Sequence, residues 1–165
     1  MVSAGHGYRG LVNESVTVHI DAPASEVWSL VADVTRIGEY SPETFEAEWT
    51  DGATGPAVGA RFRGHVKRNG VGPIYWSPCV VTVCAPDEEF AFSIERSGRA
   101  LSTWGYRLAP TVDGGTDVTE YFELAGLLPL RIYWALMGWS RGRTNRNGMR
   151  TTLEAMKAEL EVTGS

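Results

Sequence analysis

The first regular pattern in the chain is a strand that leads directly into a helix. Apolar and polar residues alternate from Val16 to Ile20, which is the period of a half-buried strand. Pro23 suits the first turn of a helix, where its missing N–H breaks no hydrogen bond, and the apolar residues after it fall on one helical stripe. The pattern therefore predicts a strand over residues 14–22 and a helix over residues 23–33.

Strand patterns joined by short turns fill the middle of the chain. A short helix is predicted first, over residues 35–41, because Pro42 stops it. Two-residue alternation then recurs between turn signals such as Asn69-Gly70, a dipeptide typical of hairpins. Strands at this close spacing indicate an antiparallel meander. The predicted strands cover residues 44–50, 61–68, 74–85, 90–94, 100–109 and 116–124.

The last forty residues have a helical pattern. Residues 127–139 are crowded with large apolar side chains, and a basic stretch follows them. Met149, Leu153, Met156 and Leu160 are then spaced by four, three and four positions, which makes one stripe that packs against a core. A long helix across the face of a sheet, with short helices at one end, tends to leave a gap in the middle. That gap is a candidate pocket.

Length and composition predict one globular domain. A chain of 165 residues most simply forms one domain with one hydrophobic core. We expect a loose leader over residues 1–13 and the domain over residues 14–162. The net charge of −5 argues against nucleic-acid binding, which needs a basic surface. Residues 1–11 contain no continuous apolar run, so no signal peptide is predicted.

The two cysteines indicate the redox state of the compartment in which the protein is expected. Cys79 and Cys84 lie in one predicted strand, five residues apart, so they are expected on opposite faces and about 17 Å apart. A disulfide needs Cα atoms within about 7 Å. The sequence thus predicts free thiols in a reducing cytoplasm. The histidines are scattered and neither cysteine has a histidine at ligand spacing, so no metal and no cofactor are predicted.

Several short stretches, taken with the order of elements, resemble a known superfamily. They are IDAPASEVW (20–28), VADV (31–34), YSPE (40–43), GARFRG (59–64), GTDVTE (115–120) and GMR (148–150). Over residues 14–160 the chain resembles the START-like (SRPBCC) superfamily, in particular its bacterial polyketide cyclase/dehydrase and lipid-transport group. The resemblance implies a Bet v 1-like helix-grip fold of the α+β class. In that fold a curved antiparallel sheet of six to seven strands wraps round a long C-terminal helix, with two short helices near the N-terminus.

The aromatic residues are the best candidates for the lining of a cavity, which the resemblance implies. The alternative is that they fill a solid core. The hydroxyl of Tyr106 is suited to orient a polar group of an apolar ligand. By strand parity and helix position, the predicted ligand-binding residues are Phe62, Phe90, Phe92, Trp104, Tyr106 and Phe122 from the sheet, Tyr133 and Met137 from the last helix, and Tyr40 and Phe45 at the entrance.

Glu120 is the candidate catalytic residue. It shares the strand parity of Val118, Phe122 and Leu124, so a carboxyl group is expected on an apolar face. A buried carboxyl has a raised pKa and suits general acid or base work, for example in enolisation or dehydration of a polyketide. The alternative is that Glu120 is paired with an arginine or faces water at the cavity mouth.

A basic segment suggests a second contact. Residues 131–150, bounded by Arg131 and Arg150, are suited to weak contact with anionic membranes. The alternative is a solvated helix face that balances acidic neighbours such as Glu46 and Glu48.

Three functions follow as hypotheses. The first is binding of a hydrophobic small molecule, such as a lipid, polyketide or isoprenoid, in an internal cavity. The second is a polyketide aromatase/cyclase or dehydratase that uses Glu120. The third is a protein-interaction or stress-related module without a ligand. A cavity large enough for a guest molecule separates the first two from the third.

Overall fold

The computed structural model of the protein describes residues 13–67, 72–126 and 128–163. Residues 1–12 of the predicted leader and the hairpin signal at Asn69-Gly70 lie outside the described residues. Asn13, the last residue of that predicted leader, already belongs to the first strand.

Within the described residues, seven antiparallel strands form one sheet, which is accompanied by two short helices and one long helix. In space the strands follow the order β1-β7-β6-β5-β4-β3-β2, so the second strand along the chain forms the edge opposite the first. The strands are β1 (Asn13–Ile20), β2 (Thr44–Thr50), β3 (Arg61–Lys67), β4 (Ile74–Ala85), β5 (Glu89–Arg96), β6 (Arg99–Pro110) and β7 (Thr116–Leu124). The helices are α1 (Ala24–Val31), α2 (Ile37–Tyr40) and α3 (Leu128–Thr163). The predicted α+β helix-grip class is confirmed.

The helix α1 is shorter than predicted because the chain changes conformation after Ala32. The N–H of Ala32 still bonds to the carbonyl of Trp28, but Asp33 leaves the helical region. The carboxylate of Asp33 accepts from the backbone N–H of Thr35 at 3.1 Å and caps a 3₁₀ turn over Val34–Arg36 that leads into α2.

The C-terminal stripe packs on the sheet as the spacing predicts. Met149, Leu153, Met156 and Leu160 are all buried. α3 lies mainly against β1 and β7 and also touches α1 and α2. The helix α3 therefore packs mainly on the edge of the sheet formed by β1 and β7. The inner face of β3 to β6 is left largely uncovered by it.

The prediction that the two cysteines face opposite ways is wrong. A β-bulge shifts the register between Val81 and Val83 and adds one residue to β4. Cys84 consequently pairs with Phe90 and packs against the core, on the same face as the buried Cys79. Both thiols are free.

Gly38 fixes the approach of α2 to the sheet. A Cβ atom at Gly38 would lie 2.2 Å from the backbone oxygen of Phe45, which cannot move without displacing β2. We expect Gly38→Ala to lower the free energy of unfolding by about 3 kcal/mol, as overpacking does, measured by urea denaturation. Gly55→Ala is the matched control because nothing lies within 4 Å of its Cβ. Equal stability of the two variants would contradict this account of α2.

Candidate functional site

A cavity of about 970 Å³ lies between the inner face of the sheet and α3. Its volume is at the upper end of the ~300–1,000 Å³ range of small-molecule sites. The strands β3 to β7 form one wall, and the middle of α3 with the turn after α2 forms the other. The helix contributes Arg141, Thr144, Asn145, Gly148, Met149 and Thr152.

Five of the predicted aromatic residues lie together on the cavity wall. They come from β3, β5, β6 and β7, where two-residue alternation aims them at the same face. Their rings form two contacts, an edge-on pair of Phe62 and Phe92 at 5.0 Å and a tilted pair of Trp104 and Phe122 at 4.8 Å. The five are Phe62, Phe92, Trp104, Tyr106 and Phe122.

Three other predicted residues do not line this cavity. Phe90 is on the inner face but is fully buried beneath α1, edge-on to Trp28 at 6.1 Å. Tyr40 is buried and donates its hydroxyl hydrogen bond to Glu159 in α3 at 2.6 Å. Phe45 is 46% exposed.

Phe45 is displaced by a second register shift. The irregularity between Thr44 and Glu46 moves Phe45 off the face of Ala47. Its ring instead contacts His65, 4.5 Å away, which stacks in turn on Trp76 of β4. Thr44 takes the inward position and lines the cavity. The side chains of Tyr133 and Met137 lie outside the described residues, although their backbone belongs to α3.

Glu120 places a buried carboxyl group on the cavity wall. Glu120 is opposite Tyr106 in the β6–β7 register, and Tyr106 donates its hydroxyl hydrogen bond to Oε1 at 3.3 Å. The side chain is 5% exposed, and its Oε2 is buried without a hydrogen-bond partner. Desolvation raises the pKa of Glu120 to about 8, against the opposing effect of the Tyr106 hydrogen bond. Burial and the neighbouring carboxyl raise the pKa of Tyr106 as well.

This geometry makes Glu120 a neutral acid near neutral pH. Both alternatives for its surroundings, an arginine partner or water at the mouth, differ from the hydroxyl contact and the deep burial seen here. One oxygen accepts from Tyr106, and the other, Oε2, is left to carry the proton. Such a group can donate a hydrogen bond or exchange a proton with a bound molecule.

An ion pair lies on the helix side of the cavity. Arg141 of α3 donates to both carboxylate oxygens of Glu43, at 3.1 and 3.0 Å, and both residues line the cavity. Ser41 shapes the turn that carries Glu43, since its hydroxyl oxygen accepts from the N–H of Thr44 at 3.0 Å. Local sequence patterns do not indicate this pair, and the basic segment alone predicts a cation in this part of α3.

The acidic partners of that basic segment differ from those expected. Arg141 pairs with Glu43, and Arg146 pairs with Glu14 of β1 at 2.9 Å. Glu46 and Glu48 belong to the edge strand β2 and instead pair with His65 and Arg63 of β3. Membrane contact through residues 131–150 stays a prediction.

No group of three or more His, Cys, Asp or Glu residues is arranged to hold a metal ion within the described ranges. No helix in the same ranges has the length and apolar character to cross a bilayer.

Solved structures share this architecture. The di-domain ARO/CYC protein StfQ of the steffimycin biosynthetic pathway aligns with a TM-score of 0.69 at 13% identity, over 93% of this chain and 51% of that one. A Deinococcus radiodurans protein aligns with a TM-score of 0.66 at 16% identity, over 92% and 99% of the chains. At such identities these two likenesses establish the fold.

Sequence comparison adds the family. A polyketide-cyclase-like protein of Corynebacterium glutamicum is 28% identical, with a TM-score of 0.59 over 92% of each chain. No curated protein matches the chain significantly. A family model matches residues 12–161, nearly the whole chain. The chain therefore belongs to the family of polyketide cyclases/dehydrases and lipid-transport proteins.

Proposed function

We propose that the protein binds one hydrophobic small molecule in the cavity between the sheet and α3. The observation that carries this proposal is the cavity of about 970 Å³ with five aromatic side chains on its wall. Burial of apolar ligand surface stabilises a complex by ~25 cal/mol per Å² before the costs of association are subtracted. Aromatic walls of this extent support a lipid, polyketide or isoprenoid-like ligand.

The polar groups of the cavity fit the same proposal. Two hydrogen-bonded pairs lie on opposite walls, Glu120 with Tyr106 on the sheet and Arg141 with Glu43 at the helix. A mainly apolar pocket with a small number of placed polar groups is the usual form of a small-molecule site. In this arrangement the polar groups orient the ligand, and the apolar wall supplies the affinity.

A direct test is titration with the neutral dye N-phenyl-1-naphthylamine. We expect saturable fluorescence enhancement with one dye per chain and a dissociation constant in the micromolar range. A native mass spectrum of freshly purified protein will show whether a molecule co-purifies and displaces the dye. Absence of saturable binding up to the solubility limit of the dye, in protein free of a co-purified molecule, contradicts the proposal.

Glu120 favours a second candidate function, catalysis by proton transfer on a polyketide-like ligand. Its carboxyl is protonated near neutral pH and borders the space where a ligand would lie. For a substrate identified by co-purification, Glu120→Gln would remove turnover while leaving binding intact. Equal turnover by the variant and the wild type would exclude this role for Glu120.

A further inference from the structure

We infer that the ligand is an amphiphile with an anionic head group, and that Arg96 and Arg99 bind this head group at one end of the cavity. The inference rests on the proposed binding function and specifies the chemical class of the ligand. The head group is a carboxylate or a phosphate, since the guanidinium group of arginine binds either one with two parallel hydrogen bonds. The apolar tail of the ligand then lies inside the cavity.

The first support is the position of two arginines at the tip of a hairpin. Arg96 ends β5 and is directly opposite Arg99, which begins β6. The turn between them, Ser97-Gly98, has a positive φ at both positions, as in the type I′ turns of tight hairpins. Side chains directly opposite each other in an antiparallel pair project close together from the same face. The cavity has an open end here, which we call the mouth, because it is lined by the exposed residues Pro73, Tyr75, Arg96 and Ser97.

The second support is the uncompensated charge of this arginine pair. Like charges directly opposite across two strands destabilise a sheet. The acidic side chains of the described cavity wall are engaged elsewhere. Glu95 accepts a hydrogen bond from Arg61 at 3.2 Å, and Glu43 is bound by Arg141. Glu120 is protonated near neutral pH because burial raises its pKa to about 8. An anion bound between the two arginines would therefore replace their repulsion by two attractions.

The third support is the apolar wall that leads away from the mouth. Arg96 lies six residues along β5 from Phe90, which is opposite Tyr106. At ~3.3 Å per residue, the mouth is about 20 Å from the level of Tyr106. A long alkyl or isoprenoid tail has this length. The apolar side chains of the cavity wall between the two levels are Phe92, Ile94, Trp104, Phe122 and Leu124.

The experiment compares cis-parinaric acid with its methyl ester, two fluorescent probes that share one tail and differ in the charge of the head. Both are titrated at pH 7.5, below the concentration at which they form micelles, into the wild type and the double variant Arg96→Gln/Arg99→Gln. We expect the double variant to bind the acid about tenfold more weakly and the ester with unchanged affinity, since only the acid loses charge-assisted hydrogen bonds. Added NaCl should weaken the binding of the acid to the wild type and leave that of the ester unchanged.

Arg150→Gln is the control for loss of positive charge, because Arg150 is exposed on α3. It should leave both affinities unchanged. Competition for the wild type distinguishes the two kinds of head group. Oleate and oleyl phosphate should each displace parinaric acid more effectively than oleyl alcohol does, and the stronger competitor identifies the head group.

The outcomes separate the two proposals. If neither probe binds the wild type, the proposed function fails. If both probes bind and the double variant weakens both equally, or neither, the cavity binds apolar molecules but the contact with the head group is wrong. Displacement by oleyl alcohol as effective as by oleate and oleyl phosphate would also overturn the inference. Thermal unfolding of each variant shows whether it is folded, and the salt dependence of the wild type tests the inference without any substitution.

Discussion

Replacing Glu120 by glutamine is expected to stabilise the protein at alkaline pH and to change its stability much less at pH 4. The cause is the difference in the pKa of the carboxyl group between the folded and unfolded states. Burial raises this pKa to about 8 in the folded protein, from 4.5 for an exposed glutamate. Below pH 4.5 both states hold the proton, so folding carries no penalty from ionisation.

Between these two values the unfolded chain releases the proton and the folded protein keeps it. Rising pH then favours unfolding. The free energy of unfolding of the wild type is expected to fall by about 5 kcal/mol by pH 9. Glutamine never ionises, so the variant avoids this loss. The measurement is urea denaturation followed by tryptophan fluorescence at pH 4, 6, 7.5 and 9, and the quantity of interest is the difference between variant and wild type.

The control for this prediction is Glu123→Gln on the outward face of the same strand. Other titrating groups contribute equally to the wild type and to each variant, so they cancel in the difference. For Glu123→Gln the difference should stay within about 0.5 kcal/mol across the pH range, as for most surface substitutions. A difference for Glu120→Gln that does not grow with pH would mean that water or a cation reaches the carboxyl in solution.

Much of the fold was predictable because its elements follow local rules. The alternation of apolar and polar residues predicted the strands of the meander. The buried stripe of α3 was predicted from the spacing of Met149, Leu153, Met156 and Leu160. The burial of Glu120 followed from the same parity argument. Each of these inferences needs only the period of a regular element.

The wrong predictions arise where a β-bulge interrupts the regular alternation of a strand. Others arise where contacts between distant parts of the chain determine the surroundings of a side chain. Two register shifts, after Thr44 and after Val81, moved Phe45 outward and returned Cys84 to the inner face. No short sequence pattern marks the position of either β-bulge. The pair of Arg141 and Glu43 joins positions 98 residues apart, so no local pattern could indicate it.

Parity also cannot tell which part of one face a helix covers. Phe90 and Trp104 both lie on the inner face, and the sequence grouped them as ligand-binding candidates. In the structure α1 covers Phe90, whereas Trp104 borders the open cavity. The two residues should therefore respond to truncation in opposite ways.

Phe90→Ala is expected to lower the free energy of unfolding by about 4 kcal/mol, the cost of removing a large buried ring. Its side chain is fully buried and contacts Trp28 and Phe92. In the fraction that stays folded, the affinity for N-phenyl-1-naphthylamine should be nearly unchanged, because Phe90 does not line the cavity. Phe90→Leu keeps most of the volume and allows the same comparison if the alanine variant does not fold.

Trp104→Ala should show the reverse, because Trp104 is only half-buried, lines the cavity and contacts Phe122 with its ring. We expect the dye to bind about tenfold more weakly, since apolar contact area on one side of the ligand is lost. The free energy of unfolding should fall by less than for Phe90→Ala, because the lost ring leaves space that already communicates with the cavity. Equal losses of affinity in both variants would contradict this difference, since Trp104 lines the cavity and Phe90 does not.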